Sequence, residues 1–529
     1  MTILPWPKGE DAALAASAGK QTLVSLGRRR FVTAALAVPM LLLAETGGAP
    51  QTLSAEVPES SDFHSETVPA LARLLATRPH RPREDPLPDS FARLDYDGYR
   101  RIRFDPAHAL WAGTGLPFQL QPHHRGFLFH PRVALFEVAD GHAVPIRFQA
   151  SQFRYDGIAP PGPEEDLGFA GFRLLNPLNR PGHFDELCSF LGASYFRALG
   201  RGNAYGISAR GLALGTAQPS GEEFPGFTAF WIEKPEPGAE AITLHALMES
   251  ASLTGAFRMR ITPGDATVMH IEAQIFARRD IPHIGVAPMT SMFFFGSHNR
   301  QGVSDYRLAV HDSDGLLIRN GAGAQIWRPL TNPRDLQISG FQDHSPRGYG
   351  LLQRPRRFDD YQDLEAAYHR RPSLWAEPLE DWGAGEVQLF EIPTRSEIHD
   401  NIVAAWSPRV GLRAGQEHRL AYRLHWGLGD LADARLLRFV ATRTGAGTAP
   451  RGLRFVLDTS PWQGDLPALA LEAGSGELRN PVVLRNPESG GLRVAFEWQA
   501  GQARLGEIRA RLMRGEVPVS ESWTYRWTA

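Results

Sequence analysis

The chain has 529 residues, enough for two or three domains with large cores. Its 56 lysines and arginines nearly balance 58 aspartates and glutamates, for a formal charge of −2, so charge gives no support for a nucleic-acid or anionic-membrane partner. Hydrophobic residues reach 43%, and glycine (52) and proline (41) are frequent, which is typical of many short strands joined by turns.

The N-terminal region is predicted to be an export signal. Residues 28–31 read RRRF, and the apolar run 32–44 that follows is too short to span a bilayer. This pattern predicts a twin-arginine signal over residues 1–55, with a membrane anchor or a presequence as the alternative. Such signals export proteins that have folded in the cytoplasm, which agrees with a single cysteine, Cys188, and hence no intrachain disulfide. We therefore expect a periplasmic protein.

From Tyr99 onward the pattern is predominantly that of β-strands. The clearest hairpin covers residues 258–278, with its turn at 263–265 and apolar residues alternating with polar ones along the second strand. Alternation that continues through so much of the chain requires stacked antiparallel sheets, because one twisted sheet of that many strands would curl or split. Residues 56–445 are therefore predicted to form a large β-sandwich.

Three short motifs resemble functional signatures but do not complete them. Residues 206–210 read GISAR, which starts like a serine-hydrolase elbow but lacks the second glycine. Residues 312–316 read DSDGL, which opens like a calcium loop but places leucine at a ligand position. His123, His124 and His130 are candidate metal ligands, although histidines so placed more often pack or hydrogen-bond. We expect no metal and no cofactor.

Residues 341–406 combine loops, aromatic side chains and carboxylates more densely than any other stretch. A short helix is predicted here, capped by Asp359 or Asp360 and ended by Pro372. Three side chains would share its apolar face: Tyr361, Leu364 and Tyr368. Loops with this composition are typical of a binding site for a polar ligand with flat faces, and a carbohydrate fits that description best.

Two kinds of side chain in the chain suit carbohydrate chemistry. Tyr368 and Trp375 have polar neighbours, so their rings either stack on a pyranose or simply pack. Glycoside hydrolysis needs a proton donor and a base, usually two carboxylates that face each other across the bond. Asp400 lies on a turn beside the aromatic segment, where partial burial would raise its pKa, and Asp312 lies in a separate loop. Their residue types alone leave open whether the two meet or are ordinary solvated aspartates.

The C-terminal part is predicted to be a second, smaller sandwich. Residues 446–452 (AGTAPRG) have the composition of a linker. Short strands follow, with apolar residues alternating with polar ones along 492–498, and the remaining length fits an immunoglobulin-like domain over 446–529. The fold class expected from the residues is therefore all-β in two parts.

Several longer motifs occur in order between about residue 65 and the C-terminus. They read DLGFAGFR (166–173), SFLGASYFRA (189–198), YGISARGLA (205–213), APMTSMF (287–293), HDSD (311–314), RPSLW (371–375), EIPT (391–394) and DNIV (400–403). In this order they resemble the periplasmic glucans biosynthesis family, the MdoG/MdoD (OpgG/OpgD) proteins. The twin-arginine pattern makes the D branch the more similar one.

The resemblance implies a fold and a role. The fold would be a galactose-mutarotase-like β-supersandwich over 56–445 joined to an immunoglobulin-like domain over 446–529. The role would be in making or trimming osmoregulated periplasmic glucans, whose backbone is β-1,2-linked glucose. Some members resemble inverting endo-β-1,2-glucanases, and inversion leaves room for a water molecule between acid and base.

The resemblance also assigns roles to residues. Asp400 would be the general acid, and Asp312 the base that takes a proton from water, directly or through a relay. Tyr368, Arg371 and Glu397 would line the cleft, to which the aromatic argument adds Trp375. At residues 446–453 this chain is expected to be shorter than the D-type members, whose loop there carries a tryptophan. This difference affects what the resemblance implies about the proton relay, the substrate specificity and the catalytic turnover.

Two classes of function follow. The leading hypothesis is a glycoside hydrolase acting on β-1,2-glucan. The alternative is a non-catalytic glucan-binding or scaffolding factor that guides the membrane glucan synthase and the branching machinery. A lyase fits less well, because neutral glucose has no carboxylate beside the proton to be removed. The expected partners are the glucan backbone and the synthase machinery, with a homodimer left open and no nucleic acid.

Overall fold

The computed structural model describes residues 60–82, 85–300, 302–429 and 435–529. The predicted signal peptide, residues 1–55, lies outside them. Within the described residues the chain is mostly β-strand, so the all-β prediction is confirmed. None of the helices in these ranges combines the length and the apolar character that a membrane crossing needs.

The strands are numbered in chain order. The first group is β1 (Ser61–Asp62), β2 (Ile102–Phe104), β3 (Gln119–His124), β4 (Ala134–Ala139), β5 (His142–Pro145), β6 (Phe153–Tyr155), β7 (Phe169–Arg180), β8 (His183–Leu191), β9 (Tyr195–Ala198), β10 (Ser208–Arg210), β11 (Leu212–Leu214), β12 (Gly226–Glu233), β13 (Ile242–Glu249), β14 (Leu253–Thr262), β15 (Ala266–Ala277), β16 (Ile284–Ser291) and β17 (Phe293–Phe295).

The second group is β18 (Val310–His311), β19 (Gly315–Arg319), β20 (Gln325–Pro329), β21 (Gln337–His344), β22 (Gly348–Leu352), β23 (Ser373–Pro378), β24 (Ala384–Glu391), β25 (Ile402–Pro408), β26 (Glu417–Gly427), β27 (Phe439–Ala446), β28 (Gly452–Thr459), β29 (Ala468–Ala473), β30 (Glu477–Asn486), β31 (Gly491–Gln499), β32 (Leu505–Arg514), β33 (Val517–Pro518) and β34 (Ser522–Thr528). The helices are α1 (Thr67–Ala76), α2 (Asp89–Ala92) and α3 (Tyr96–Arg100), with 3₁₀ turns at Pro106–His108, Ala150–Gln152, Phe358–Asp360 and Tyr368–Arg370.

Two large sheets face each other across the main core. A ten-stranded sheet has the order β21-β24-β25-β16-β10-β9-β8-β7-β3, with β11 also paired to β16. A sixteen-stranded sheet runs β1-β5-β4-β12-β13-β14-β15-β26-β23-β22-β19-β20-β34-β32-β29, with β33 paired to β32. Phe172 and Phe190 of the smaller sheet contact Phe230 of the larger one, with ring centroids 5.0 and 5.2 Å apart. The predicted stacking of antiparallel sheets is confirmed.

The predicted hairpin over 258–278 is also confirmed. Strands β14 and β15 pair antiparallel around the turn that contains Gly264, and Ile261 lies opposite Met269. The four apolar positions of the second strand all face the core: Met269, Ile271, Ala273 and Ile275. Alternation of polar and apolar residues was enough to predict this hairpin, because its two strands are adjacent in the sequence and the buried face fixes their pairing register.

The C-terminal strands form a second, smaller sandwich. Strands β27, β28, β31 and β30 make a four-stranded sheet that packs on β32 and β34 around a core containing Phe455, Phe496 and Trp523. Strand β34 pairs in parallel with β20, so one layer of the small sandwich continues the large sheet. The domain division after residue 445 stays a prediction, but the segment predicted to be a linker is the turn of the β27–β28 hairpin.

The helix predicted between Asp359 and Pro372 is wrong. That segment holds only two 3₁₀ turns, and Leu364, which was expected to face the core, is 88% exposed. Gln362 and Ala367 adopt left-handed backbone angles (φ 59° and 47°), which end a right-handed helix. Tyr361 and Tyr368 are both buried, but by a folded loop and not by a helix.

Candidate functional site

Asp312 and the neighbour of Asp400, Asn401, are hydrogen-bonded to two consecutive residues, Met292 and Phe293. The backbone N–H of Asp312 donates to the carbonyl of Met292 (2.8 Å). Asn401, which follows Asp400, accepts from the N–H of Phe293 (2.8 Å) and donates to its carbonyl (3.0 Å) through its side-chain amide. Both aspartates are therefore held where β16 passes into β17, although they are far apart in the sequence.

One face of the ten-stranded sheet beside them is polar. The strand registers and one hydrogen bond, from Arg197 Nε to Ser208 Oγ (2.8 Å), align a row of polar side chains. In order across the sheet they are Gln121, Arg173, Ser189, Arg197, Ser208 and Thr290. Residues one position away, such as Leu174 and Phe190, point into the core. The small polar residues and arginines give this face many hydrogen-bonding groups.

The charges of two arginines connect this polar face to the two aspartates. Arg197 acts on Asp312, where it favours the ionised form and so opposes the rise in that group's pKa. Arg210 lies under the influence of the Asp400 charge, which raises the pKa of the guanidinium. Arg210 is itself held by Thr290 Oγ1 (2.9 Å) and the ring of Tyr195 (4.7 Å from the centroid). The two carboxylates thus lie beside one sheet face.

Asp312 is buried in an ion pair with Arg371. The Arg371 guanidinium donates to the Asp312 carboxylate, covers the ring of Tyr368 at 4.4 Å, and donates from Nε to the carbonyl of Ala366 (3.1 Å). Burial raises the pKa of Asp312, and the positive charge of Arg371 opposes that rise without cancelling it. Such a carboxylate is a stronger base than a solvated aspartate.

Glu397 completes the cluster. It lies three residues before Asp400 and forms an ion pair with Arg307 (2.7 Å). Its negative charge further raises the pKa of Asp312, so the two carboxylates are close enough to interact. Burial likewise raises the pKa of the Tyr368 hydroxyl, which feels the charges of the same groups. The structure therefore brings together five of the six predicted site residues: Asp312, Asp400, Tyr368, Arg371 and Glu397.

Neither Tyr368, which is 2% exposed and covered by Arg371, nor Trp375 presents an open ring face, so the predicted stacking on a sugar is not supported for either residue. Trp375 also lies outside the cluster. Its side chain is only 5% exposed and packs with Trp327, Leu352 and Phe439 between the large and small sandwiches. Both neighbours in the strand, Leu374 and Ala376, face the main core, so the alternation of a strand turns Trp375 to the other side.

Two of the three candidate metal ligands, His123 and His124, form hydrogen bonds, whereas His130 is exposed. His123 Nε2 lies 2.9 Å from Ser189 Oγ, and His124 bonds the carbonyl of Arg125 and the hydroxyl of Tyr155. In the described parts of the chain no cluster of three or more histidine, cysteine or acidic residues has the geometry to hold a metal ion. Cys188 is buried in the main core, and burial raises the pKa of its thiol.

The segment predicted to be a linker, residues 446–452, turns back on its own sheet. Within the turn between β27 and β28, Gly447 N–H donates to the carbonyl of Gly452 (2.8 Å). The hydroxyl of Thr448 donates to Glu497 on β31 (2.6 Å). The turn is therefore bound to the small sandwich.

Sequence reasoning missed the polar face of the ten-stranded sheet. Each strand shows its share as alternation, for example Gln121 and His123 in β3 or Arg197 in β9. What the sequence does not contain is the order of the strands, and only that order places these side chains in one row. The sequence therefore showed the polar positions of each strand, but not that they form one row.

The fold and the site define a large two-sheet β-sandwich protein with an arginine- and carboxylate-lined face. A family model described as "Periplasmic glucan biosynthesis protein, MdoG" matches residues 63–527, and the chain belongs to that family. It therefore has a role in glucan biosynthesis, and the family implies a periplasmic location.

Three relatives illustrate the similarity, and each bears the name glucans biosynthesis protein G. The chain is 48% identical to one from Rhodopseudomonas palustris (strain BisA53) over 514 residues, 95% of this chain and 100% of the relative. It is 46% identical over 510 residues to one from Bradyrhizobium diazoefficiens, again 95% and 100%. The identity to one from Vibrio cholerae (strain O395) is 47% over 479 residues, 89% and 88%. These names do not support the D branch, which stays a prediction.

Proposed function

We propose that the chain hydrolyses the backbone of a neutral β-1,2-linked glucan, at internal bonds and with inversion. The observation that supports the proposal is that Met292 binds Asp312 and Phe293 binds Asn401, the residue after Asp400, beside one polar sheet face. An inverting glycosidase needs two carboxylates on one cleft, with room for a water molecule between them.

The two aspartates differ in burial, and the two roles are assigned on that basis and on the family resemblance. Asp312 is buried, and its raised pKa makes it a strong base once ionised, while the neighbouring Arg371 favours the ionised form. Asp400 is half-buried on its loop, so its carboxyl can reach the glycosidic oxygen of a bound chain. Asp400 is assigned as the general acid and Asp312 as the base that takes a proton from water.

The remaining residues of the cluster have binding and orienting roles. Arg371 and Tyr368 hold Asp312 and offer donors to sugar hydroxyls, and Glu397 offers acceptors at the same place. The polar row of the ten-stranded sheet supplies further hydrogen-bonding partners for a chain of uncharged sugars. A neutral polymer agrees with the near-zero net charge of the protein.

The test is incubation of the purified protein with linear β-1,2-glucan, with product length followed by chromatography and product anomer by NMR. We expect shortening, an α-anomer formed first, and a loss of about 10²–10⁴-fold in rate for Asp400→Asn. The matched control is Asp140→Asn, an exposed turn residue at φ 52° on the other sheet, where asparagine is well tolerated. No shortening by the wild type, or equal rates for the wild type and Asp400→Asn, would refute the hydrolase.

A second candidate is a non-catalytic glucan-binding factor that guides the membrane synthase and branching machinery. It is favoured by the turn between β27 and β28, which is bound to Glu497 and so stays on the small sandwich. In cells, this function predicts normal glucan production with Asp400→Asn. It also predicts weaker binding to immobilised glucan with Tyr368→Ala, whereas a hydrolase would lose normal glucan size with Asp400→Asn.

The twin-arginine route of export is part of the proposal. The arginine pair at residues 28 and 29, followed by the apolar run 32–44, supports it. A double variant, Arg28→Lys with Arg29→Lys, should accumulate uncleaved in the cytoplasm of a host with a working pathway. Unchanged delivery of that variant to the periplasm would refute this route.

A further inference from the structure

Arg307 binds three carboxylates from three different loops. Its side chain, which is largely buried, reaches Asp305 (2.8 Å) in its own loop, Asp363 (2.9 Å) in the loop before β23, and Glu397 (2.7 Å) in the loop before β25. These loops are otherwise distant in the chain. Arg307 is therefore the cation at which they meet.

Two of the three carboxylates lead directly to the proposed catalytic groups. Asp363 accepts the backbone N–H groups of Glu365 and Ala366 (3.0 and 2.7 Å), which shapes the turn whose Ala366 carbonyl accepts from Arg371. Arg371 in turn holds Asp312. On the other side, Glu397 lies three residues before Asp400. Arg307 thus joins the support of the base to the loop of the acid.

The charges show why one arginine matters at this position. Three carboxylates surround one guanidinium, and hydrogen bonds and attraction from Arg307 lower the pKa of Asp305 and of Asp363. Arg300 is another cation nearby, but it donates to the backbone carbonyls of Asp305 and Arg307. Without the Arg307 guanidinium, three negative charges would face one another in a largely buried space and push the loops apart.

We infer that Arg307 is a positioning residue, which fixes how the Asp400 loop stands relative to the Asp312–Arg371 pair. The inference rests on the proposed hydrolysis for its kinetic consequence, but its structural consequence does not depend on it. Exposed apolar side chains flank the cluster on each loop: Tyr306 and Leu308, Leu364, and Ile398. They show that these loops reach solvent around a buried ionic centre.

The kinetic test uses Arg307→Ala and Arg307→Lys. With Arg307→Ala we expect kcat to fall at least tenfold while KM changes much less, because the acid and base are displaced while the polar sheet face is intact. The acidic limb of the pH–rate profile should move to higher pH, since a lost cation raises the pKa of nearby carboxyls. Arg307→Lys, or added guanidinium with Arg307→Ala, should restore part of the rate.

The matched control is Arg493→Ala. Arg493 makes a comparable two-bond pair with Asp458 (2.7 and 2.9 Å) on the small sandwich, away from the cluster. The Arg493→Ala variant should keep kcat within twofold of the wild-type value. Equal rates for Arg307→Ala and the wild type, or a loss that neither lysine nor guanidinium restores and that follows lowered thermal stability, would overturn the positioning role.

A second readout separates this inference from the hydrolase proposal. If the wild type does not shorten glucan, hydrogen exchange by mass spectrometry still tests Arg307. With Arg307→Ala, exchange should rise together in residues 363–371 and 395–401, and much less with Arg493→Ala. A rise confined to residues 302–309 would mean that Arg307 only orders its own loop, and the inference would then be wrong.

Discussion

Two buried arginine–carboxylate pairs in this molecule have the same chemistry and different surroundings. Arg371 and Asp312 meet beside the polar face of the ten-stranded sheet. Arg354 and Glu521 meet between the large and small sandwiches, where the side chains are 3% and 0% exposed. Glu521 accepts two bonds from Arg354 (2.5 and 2.8 Å) and one from the N–H of Phe439 (2.7 Å). Its carboxylate is fully engaged.

Asp312 is less completely satisfied. Within the described residues, Arg371 is its only side-chain hydrogen-bond donor, and burial leaves its pKa above the ordinary value. A buried pair stabilises when the partners satisfy each other, and costs free energy when they do not. The Arg354–Glu521 pair therefore serves to join two parts of the fold. The Arg371–Asp312 pair instead contains a carboxylate that can still accept a proton.

The largest effect on stability is expected for Glu521→Gln. The substitution keeps the shape but removes a charge that compensates Arg354, whose side chain is 3% exposed and whose guanidinium lies over the ring of Trp327 at 3.5 Å. We expect a loss of about 3–5 kcal/mol in the free energy of unfolding. Urea titration at constant pH measures it, and a loss below about 1 kcal/mol would show that the interface does not depend on this pair.

The next effect is a pH dependence from Asp314, which lies two residues after Asp312 in the sequence. Burial raises the pKa of Asp314 to about 7, against attraction from Arg354. Because the folded state holds this proton more tightly than the unfolded chain, the contribution to stability is present at low pH. It is lost as pH rises from about 4 to about 7, with a slope of at most about 1.4 kcal/mol per pH unit.

Asp314→Asn should remove that component. Unfolding titrations at pH 5 and pH 8 should show the variant more stable than the wild type at pH 8, with a smaller difference between the two pH values. If wild type and variant have parallel pH profiles, Asp314 does not titrate in this range.

A smaller effect on stability is expected for Asp312→Asn, the matched counterpart of Glu521→Gln. The asparagine oxygen still accepts a hydrogen bond from Arg371, and Arg371 keeps its contacts with the Tyr368 ring and the Ala366 carbonyl. The free-energy cost of burying the aspartate charge disappears. We expect a change of about 1 kcal/mol or less, together with loss of any glucan hydrolysis. A loss of unfolding free energy as large as that of Glu521→Gln would show that both pairs stabilise the fold to the same extent.

The smallest effect is expected for Arg93→Ala. Arg93 pairs with Asp89 at 2.6 Å, but both side chains are exposed to water. Water screens the attraction and the long side chain loses entropy, so the change should stay below about 0.5 kcal/mol. Thermal unfolding measures this change. A larger loss of stability would mean that the exposure of an ion pair does not predict its contribution to stability.

Local pattern predicted the strands and failed at the cluster. Alternation gave the all-β class and the 258–278 hairpin, since both depend on residues close in the chain. The same reasoning predicted a helix over the loop between Asp359 and Pro372, where charged residues outside the periodic positions are held by long-range ion pairs. Asp363 is bonded by Arg307, and Arg371 by Asp312, and neither partner is visible from the local sequence.

By itself, the sequence determined the all-β class, the family, and five residues that the structure gathers into one cluster. The tertiary structure alone decided that Trp375 faces the interface, that the 446–452 segment is a hairpin turn, and that the polar row crosses the ten-stranded sheet. The physical reason is that side-chain chemistry and alternation are local properties of a chain. Which strands become neighbours, and which charges are buried together, depends on contacts between residues that are hundreds of positions apart.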